Sequence, residues 1–168
     1  MVKTIIKMVY PELDGGLYPV KTEIDVSFSV KAFIETQESI NVYLKYKLHS
    51  ERNWKKVEML PIYTENIDEV RCFVAEVKFG KTGLYNYTVF VVTEKQKIID
   101  YGKVLTVVVD PVYARYSAWY EIFARSQGTV PNKSATFKDV ENRLKYIKDL
   151  GFDVLYMTPI HPIGFSHR

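Results

Sequence analysis

The side chains able to do chemistry are few in this 168-residue sequence, and most fall in its last third. Glu121 and Asp153 are carboxylates on two apolar runs, Arg125 and Ser126 close the first run, and His161 and Arg168 lie in the Pro/Gly-rich stretch after the second. Two carboxylates brought face to face can act as acid and base. A histidine needs companions to hold a metal, and His161 has no second His, Cys or carboxylate at ligand spacing, so no metal site is expected. The single cysteine, Cys72, cannot close an internal disulfide. Inside the strand-like run Val70 to Val77 it reads as a small buried hydrophobe, not a reactive thiol. The sequence shows no Gly-rich phosphate loop, nucleotide fingerprint or Ser/His/Asp order, and no cofactor is expected.

The elements that must position these groups belong to a chain long enough for one large domain or two small ones. Hydrophobic residues make up 47% and charged residues 26%, which points away from disorder and from a membrane protein. The longest apolar runs, such as Val104 to Val109, are far too short to span a bilayer. The opening Met-Val-Lys-Thr-Ile-Ile-Lys has no apolar segment of signal-peptide length, and a lone cysteine suits a reduced, cytoplasmic setting. Net charge is +3 with Lys and Arg scattered, so no basic stripe for nucleic acid is offered.

Up to about residue 112 the pattern is β. Ile24, Val26, Phe28, Val30, Ala32 and Ile34 alternate with polar partners, which turns one face inward and one outward. The rule recurs in Val42 to Leu48, Arg71 to Phe79 and Tyr85 to Val91. Breakers separate the runs at Asp14 to Gly16, Ser50 to Asn53, Glu65 to Asp68, Gly80 to Gly83 and Glu94 to Lys97. The expectation is an antiparallel, immunoglobulin-like β-sandwich of seven to nine strands over residues 1–112. Tyr43, Tyr46, Tyr85 and Tyr87 are expected to pack in the core or across strands, as aromatics do on a pleated surface.

Residues 113–168 follow a different pattern. Trp119 to Ser126 reads as a strand covered on both faces, and Phe152 to Thr158 as a second. Between them Thr136 is an N-cap, Asp139 sits in the first turn, and Phe137, Val140, Leu144 and Ile147 repeat at helical spacing up to Gly151, a left-handed stop. Strand, helix and strand form one right-handed βαβ unit. Such a unit leaves one sheet face and both edges bare. Exposed apolar surface is therefore expected around Tyr120, Ile122, Leu155 and Met157.

Two stretches, "SAWYEIFARS" and "TFKDVENRLKYIKDLGFDVLYMTPIHPIG", resemble the opening of the catalytic barrel in α-1,4-glucan:maltose-1-phosphate maltosyltransferases, relatives of the α-amylases in glycoside hydrolase family 13. "GLYPV" at Gly16 to Val20 and "GLYNYTV" at Gly83 to Val89 resemble that family's N-terminal sandwich. Ala124, Ser134-Ala135 and Thr158 depart from the family's usual letters. The resemblance implies a sandwich followed by an incomplete (β/α)8 barrel, the first βαβ unit only. It implies transfer of maltose from maltose 1-phosphate to α-1,4-glucan with retention, by the complete enzyme. Retention needs two carboxyl groups about 5–5.5 Å apart, placed at the C-terminal ends of barrel strands. Asp153 opens its strand and Glu121 lies early in its own. In the family the acting carboxylates follow the fourth, fifth and seventh strands, which have no counterpart here.

No catalytic residue is therefore assigned, and the chain alone is expected to be inactive. Arg125, His161 and Arg168 fall at the rim, where the sugar or phosphate end of a complete site would lie. The implied partners are the glucan, maltose 1-phosphate, and the remainder of the barrel or a second copy of the chain. The alternative is a non-catalytic β-sandwich module for α-glucan binding or subunit contact.

Overall fold

A computed structural model describes residues 3–67 and 70–161. It is mainly β, and it divides into two compact units, Met1–Val112 and Tyr113–Arg168. Among the described residues the first contains nine strands: β1 (Ile5–Tyr10), β2 (Val20–Glu23), β3 (Ser27–Glu35), β4 (Ile40–Leu48), β5 (Lys55–Ile67), β6 (Val70–Lys78), β7 (Gly83–Thr93), β8 (Ile98–Asp100) and β9 (Leu105–Asp110). They form one sheet in the order β1-β3-β6-β5-β4-β7-β9-β2, with β8 also paired to β7.

The sheet curls because β5 serves two ladders. Its first half pairs with β4, from Tyr46↔Lys55 to Val42↔Met59. Its second half pairs with β6, at Leu60↔Val74 and Ile62↔Cys72. Alternation along the strands then turns one set of side chains inward from both sides of the curl. Phe28, Val30, Ala32 and Ile34 of β3, Val42 and Leu44 of β4, Tyr87, Val89 and Val91 of β7 and Val107 and Val109 of β9 share a single core. The two sides meet through rings: Phe28 approaches Tyr87 edge-on at 5.6 Å between centroids, and Phe79 lies 4.4 Å from Tyr85. Tyr85 and Tyr87 are buried, Tyr46 packs against the core, and Tyr43 stacks on Phe90 at 5.2 Å.

The sheet differs from the sequence expectation at three places. β2 and β9 run parallel, Val20↔Val107 to Glu23↔Asp110, so the sheet is not wholly antiparallel. The alternation from Ile24 does not start a strand. Asp25 takes a left-handed φ of 61°, a conformation Asp tolerates, and its amide bonds the carbonyl of Phe79, so β3 begins at Ser27 and Val26 is exposed. The polar stretch from Glu65 continues β5 as far as Ile67 instead of breaking it.

In the second unit β10 (Trp119–Ile122) and β11 (Val154–Met157) pair in parallel, from Trp119↔Val154 to Ile122↔Met157. Helix α1 (Phe137–Asp149) connects them. The Asp139 carboxylate accepts the Thr136 amide at 2.7 Å and its hydroxyl at 2.8 Å, which fixes the helix start. Gly151 ends it at φ 92°.

Both strands are shorter than the letters suggest. After Ile122 the chain passes Phe123 and enters a 3-10 turn, Ala124–Ser126. The uncovered face is also not the one expected. Tyr120, Ile122, Leu155 and Met157 pack with Ala124 and Val140 under α1, while Trp119 is 60% and Tyr156 46% exposed on the opposite side. On the helix Val140 and Ile147 are buried, but Phe137 and Leu144 are exposed.

Candidate functional site

Parallel strands send both carboxyl ends, and the loops that follow them, to the same side of a sheet, which is where βα units gather binding groups. Here β10 leads into the turn Ala124–Ser126 and β11 into Thr158 to His161. The Arg125 guanidinium donates to the carbonyl of His161 at 2.7 Å and to that of Pro159 at 3.4 Å. Its own carbonyl accepts the Ala135 amide at 2.9 Å. One residue thus ties three loop segments together. Beside it is a cavity of about 230 Å³ lined by Ala124, Arg125, Ala135, Thr136, Phe137, Pro159 and Ile160.

Arg125 and His161 are therefore brought together, but through the histidine's backbone. The imidazole makes no part of this contact. Ser126 donates its amide to the Phe123 carbonyl within the turn. Arg168 lies outside the described residues. Of the two carboxylates, Asp153 stays away from this rim, whereas Glu121 is the penultimate residue of the short β10 and so lies later in its strand than the sequence suggested. Asp153 accepts the Ala118 amide at 3.0 Å at the amino ends of the strands. Glu121 is exposed and alternates onto the face opposite α1. Among the described residues no three His, Cys, Asp or Glu side chains group as metal ligands would, and no helix is long and apolar enough to cross a membrane.

The first unit holds an ionic cluster that no sequence motif signalled. Glu12 accepts Tyr101 Oη at 2.5 Å and Lys103 Nζ at 2.6 Å, and Tyr87 donates to the Pro11 carbonyl. Burial by itself would raise the Glu12 pKa. Hydrogen bonds from Lys103 and Tyr101, with the charge of Lys103, outweigh it and hold the carboxyl below its usual value. Burial pushes both phenols upward, joined by the negative charge of Glu12 for Tyr87 and by the hydrogen bond to Glu12, then its charge, for Tyr101. The partners come from positions 12 and 101–103, too far apart in sequence to read as one pattern. The cluster holds Pro11 and Glu12 against the sheet and offers no reactive pair.

Comparison with known proteins adds the decisive observation. The family model for domain N/S of alpha-1,4-glucan:maltose-1-phosphate maltosyltransferase matches residues 3–95, more than half of the sequence. The chain belongs to this family. It corresponds to an N-terminal portion of such a maltosyltransferase. The alpha-1,4-glucan:maltose-1-phosphate maltosyltransferase of Cereibacter sphaeroides is 53% identical over 66 residues, covering 39% of this chain and 10% of that protein. The one from Chlorobaculum tepidum is 26% identical across 99% of this chain, which amounts to 36% of that protein. The chain thus spans between about a tenth and about a third of these curated relatives. Among solved structures, a cyclomaltodextrinase aligns over 90% of this chain and 32% of its own, with 13% identity and a TM-score of 0.43.

Proposed function

We propose that the chain supplies the N-terminal part of a maltosyltransferase: residues 1–112 as an immunoglobulin-like β-sandwich, and residues 113–168 as the first strand, helix and strand of a catalytic (β/α)8 barrel. The complete enzyme moves maltose from maltose 1-phosphate onto α-1,4-glucan in cytoplasmic carbohydrate metabolism. What carries this reading is the parallel pairing of β10 and β11 through α1, with Arg125 on their carboxyl side.

Arg125, His161 and Arg168 belong to the substrate rim. Arg125 serves it by holding Pro159 and His161 in position, since its guanidinium is already engaged with their carbonyls. A retaining transfer needs two carboxyl groups about 5–5.5 Å apart. Asp153 sits at the amino end of its strand, three positions from Tyr156, the register partner of Glu121, so the two do not form such a pair and the chain alone is inactive. The test is to incubate the homogeneous chain with maltose 1-phosphate and maltohexaose and follow phosphate release. None is expected, and sustained release with elongation of the acceptor would overturn the assignment.

A second reading is a non-catalytic module in which the curled sheet binds α-glucan. It is favoured by one observation, a cleft beside β5 that combines an exposed aromatic ring with planar polar side chains.

A further inference from the structure

Where β5 leaves β4 and joins β6, the curl opens a cleft of about 240 Å³. Its walls include Ser39 and Asn41 of the β4 side, Glu58, Leu60 and Tyr63 of β5, and Arg71 of β6. The opening exists because one strand cannot pair along its whole length with both neighbours, and Pro61 at the changeover has no amide to give a ladder.

Two features set this cleft apart from an accidental gap. Tyr63 is 80% and Leu60 65% exposed, so a flat ring and an aliphatic surface stand largely open to solvent at its edge. In the wall, Arg71 donates through Nη2 to the carbonyl of Glu38, but its Nε is buried and has no hydrogen-bond partner among the described residues. A buried polar group left unmade costs about 1–3 kcal/mol and calls for an explanation. The buried Nε is thus a donor available to an acceptor that enters the cleft.

The chemistry selects a ligand class. Arg71 and Glu58 cancel in charge, and Asn41, Ser39 and Tyr63 are neutral hydrogen-bonding groups, so a phosphate would meet the Glu58 carboxylate without a surplus of positive charge. A neutral ring bearing neighbouring hydroxyls suits the site better. Each hydroxyl both donates and accepts, matching an amide, a carboxylate and a guanidinium, while the ring's apolar face lies on Tyr63 and Leu60. The volume falls below the ~300–1,000 Å³ of pockets that enclose drug-sized molecules, so the cleft takes one sugar ring and lets a chain extend away.

We propose that this cleft is a binding site for a neutral α-glucan chain, with Tyr63 as its platform and Arg71, Asn41 and Glu58 reading its hydroxyls. The proposal rests on the second reading above, in which the curled sheet binds glucan. The test is amide chemical-shift mapping of the full chain titrated with maltoheptaose, repeated for Tyr63→Ala and Arg71→Gln. Shifts should centre on Asn41, Leu60, Tyr63 and Arg71. Tyr63→Ala, an exposed position whose loss leaves folding intact, should weaken binding about tenfold with the thermal midpoint unchanged, and maltose 1-phosphate should bind no more tightly than maltose. Shifts centred on Arg125 to Ile160 instead would overturn the cleft while leaving glucan binding in place. Absence of shifts anywhere would overturn both.

Discussion

In the curled sheet, Val42, Leu44, Tyr87, Val89 and Val91 are at most 1% exposed, whereas in the smaller unit the paired strands leave Trp119 60% and Tyr156 46% exposed. Both regions carry apolar side chains along their strands, so residue type does not explain the difference. Closure does. A sheet that bends around a strand common to two ladders covers its own inner face from both sides, while a two-stranded parallel ladder with one helix covers one face and leaves the other to solvent. The larger unit therefore holds its stability internally. The smaller one rests on a cluster around Ile122, Ala124 and Val140.

The largest test of this contrast removes one core side chain from each unit. Leu44→Ala should destabilise the sheet by about 2–5 kcal/mol, the usual range for a leucine deleted from a close-packed core. Val140→Ala should leave that transition unmoved and instead speed amide exchange through β10, α1 and β11, because separate packing units open separately. Thermal unfolding read alongside hydrogen exchange separates the two effects. An equal loss of the sheet's midpoint in both variants would erase the distinction between the units.

A smaller effect is expected at Gly16, inside the first unit. Its φ is 90°, and a Cβ there would stand 2.7 Å from Cδ2 of Leu105. Leu105 is 1% exposed and packed on all sides, so it cannot retreat cheaply. Gly16→Ala should cost about 2 kcal/mol through backbone strain and overlap together, measured by denaturant titration. A Gly80→Ala control, where added bulk meets nothing within 4 Å, should cost less. If the two variants matched, the tight approach between Gly16 and β9 would carry no energy.

The sequence made the larger unit legible wherever a two-residue period runs unbroken. Phe28 to Ile34 and Tyr85 to Val91 bury the predicted side chains because alternation is itself the geometry of a strand. β5 was hidden: Lys55, Lys56, Glu58 and Pro61 blur its period, and its exchange of partners depends on strands distant in sequence. The turn at Asp25 was masked by alternation that happens to continue through Ile24 and Val26. In the smaller unit the helix start at Thr136 and stop at Gly151 could be read locally, since caps are made by neighbours in sequence. Which strand face α1 covers could not, because Tyr120 and Trp119 are both apolar and only packing decides between them. Arg125 could be placed at the rim, but its bonds to carbonyls 34 and 36 residues away belong to the folded chain alone. The cleft around Arg71 draws on three strands and has no linear motif.

The smallest test separates the units by acid. Glu12 in the first unit and Asp139 in the second both have carboxyl pKa values below their usual 4.5 and 3.8. For Glu12 the hydrogen bonds and charge of Lys103 and Tyr101 overcome the opposing effect of burial. For Asp139 the bonds from the Thr136 amide and hydroxyl do the lowering. In each case the unfolded chain binds the proton more readily. The stability these groups contribute is complete above the unfolded value and is lost as pH falls through the lower folded value. Glu12→Gln should therefore flatten the acid limb of the sheet's stability curve, while Asp139→Asn should flatten only that of α1, followed by helical circular dichroism and exchange. Because Glu12 is paired with the charged and half-exposed Lys103 while Asp139 is held by a neutral amide and hydroxyl, high salt should shrink the share of Glu12 more than that of Asp139. A single acid transition that both variants shift equally would mean the two units unfold as one.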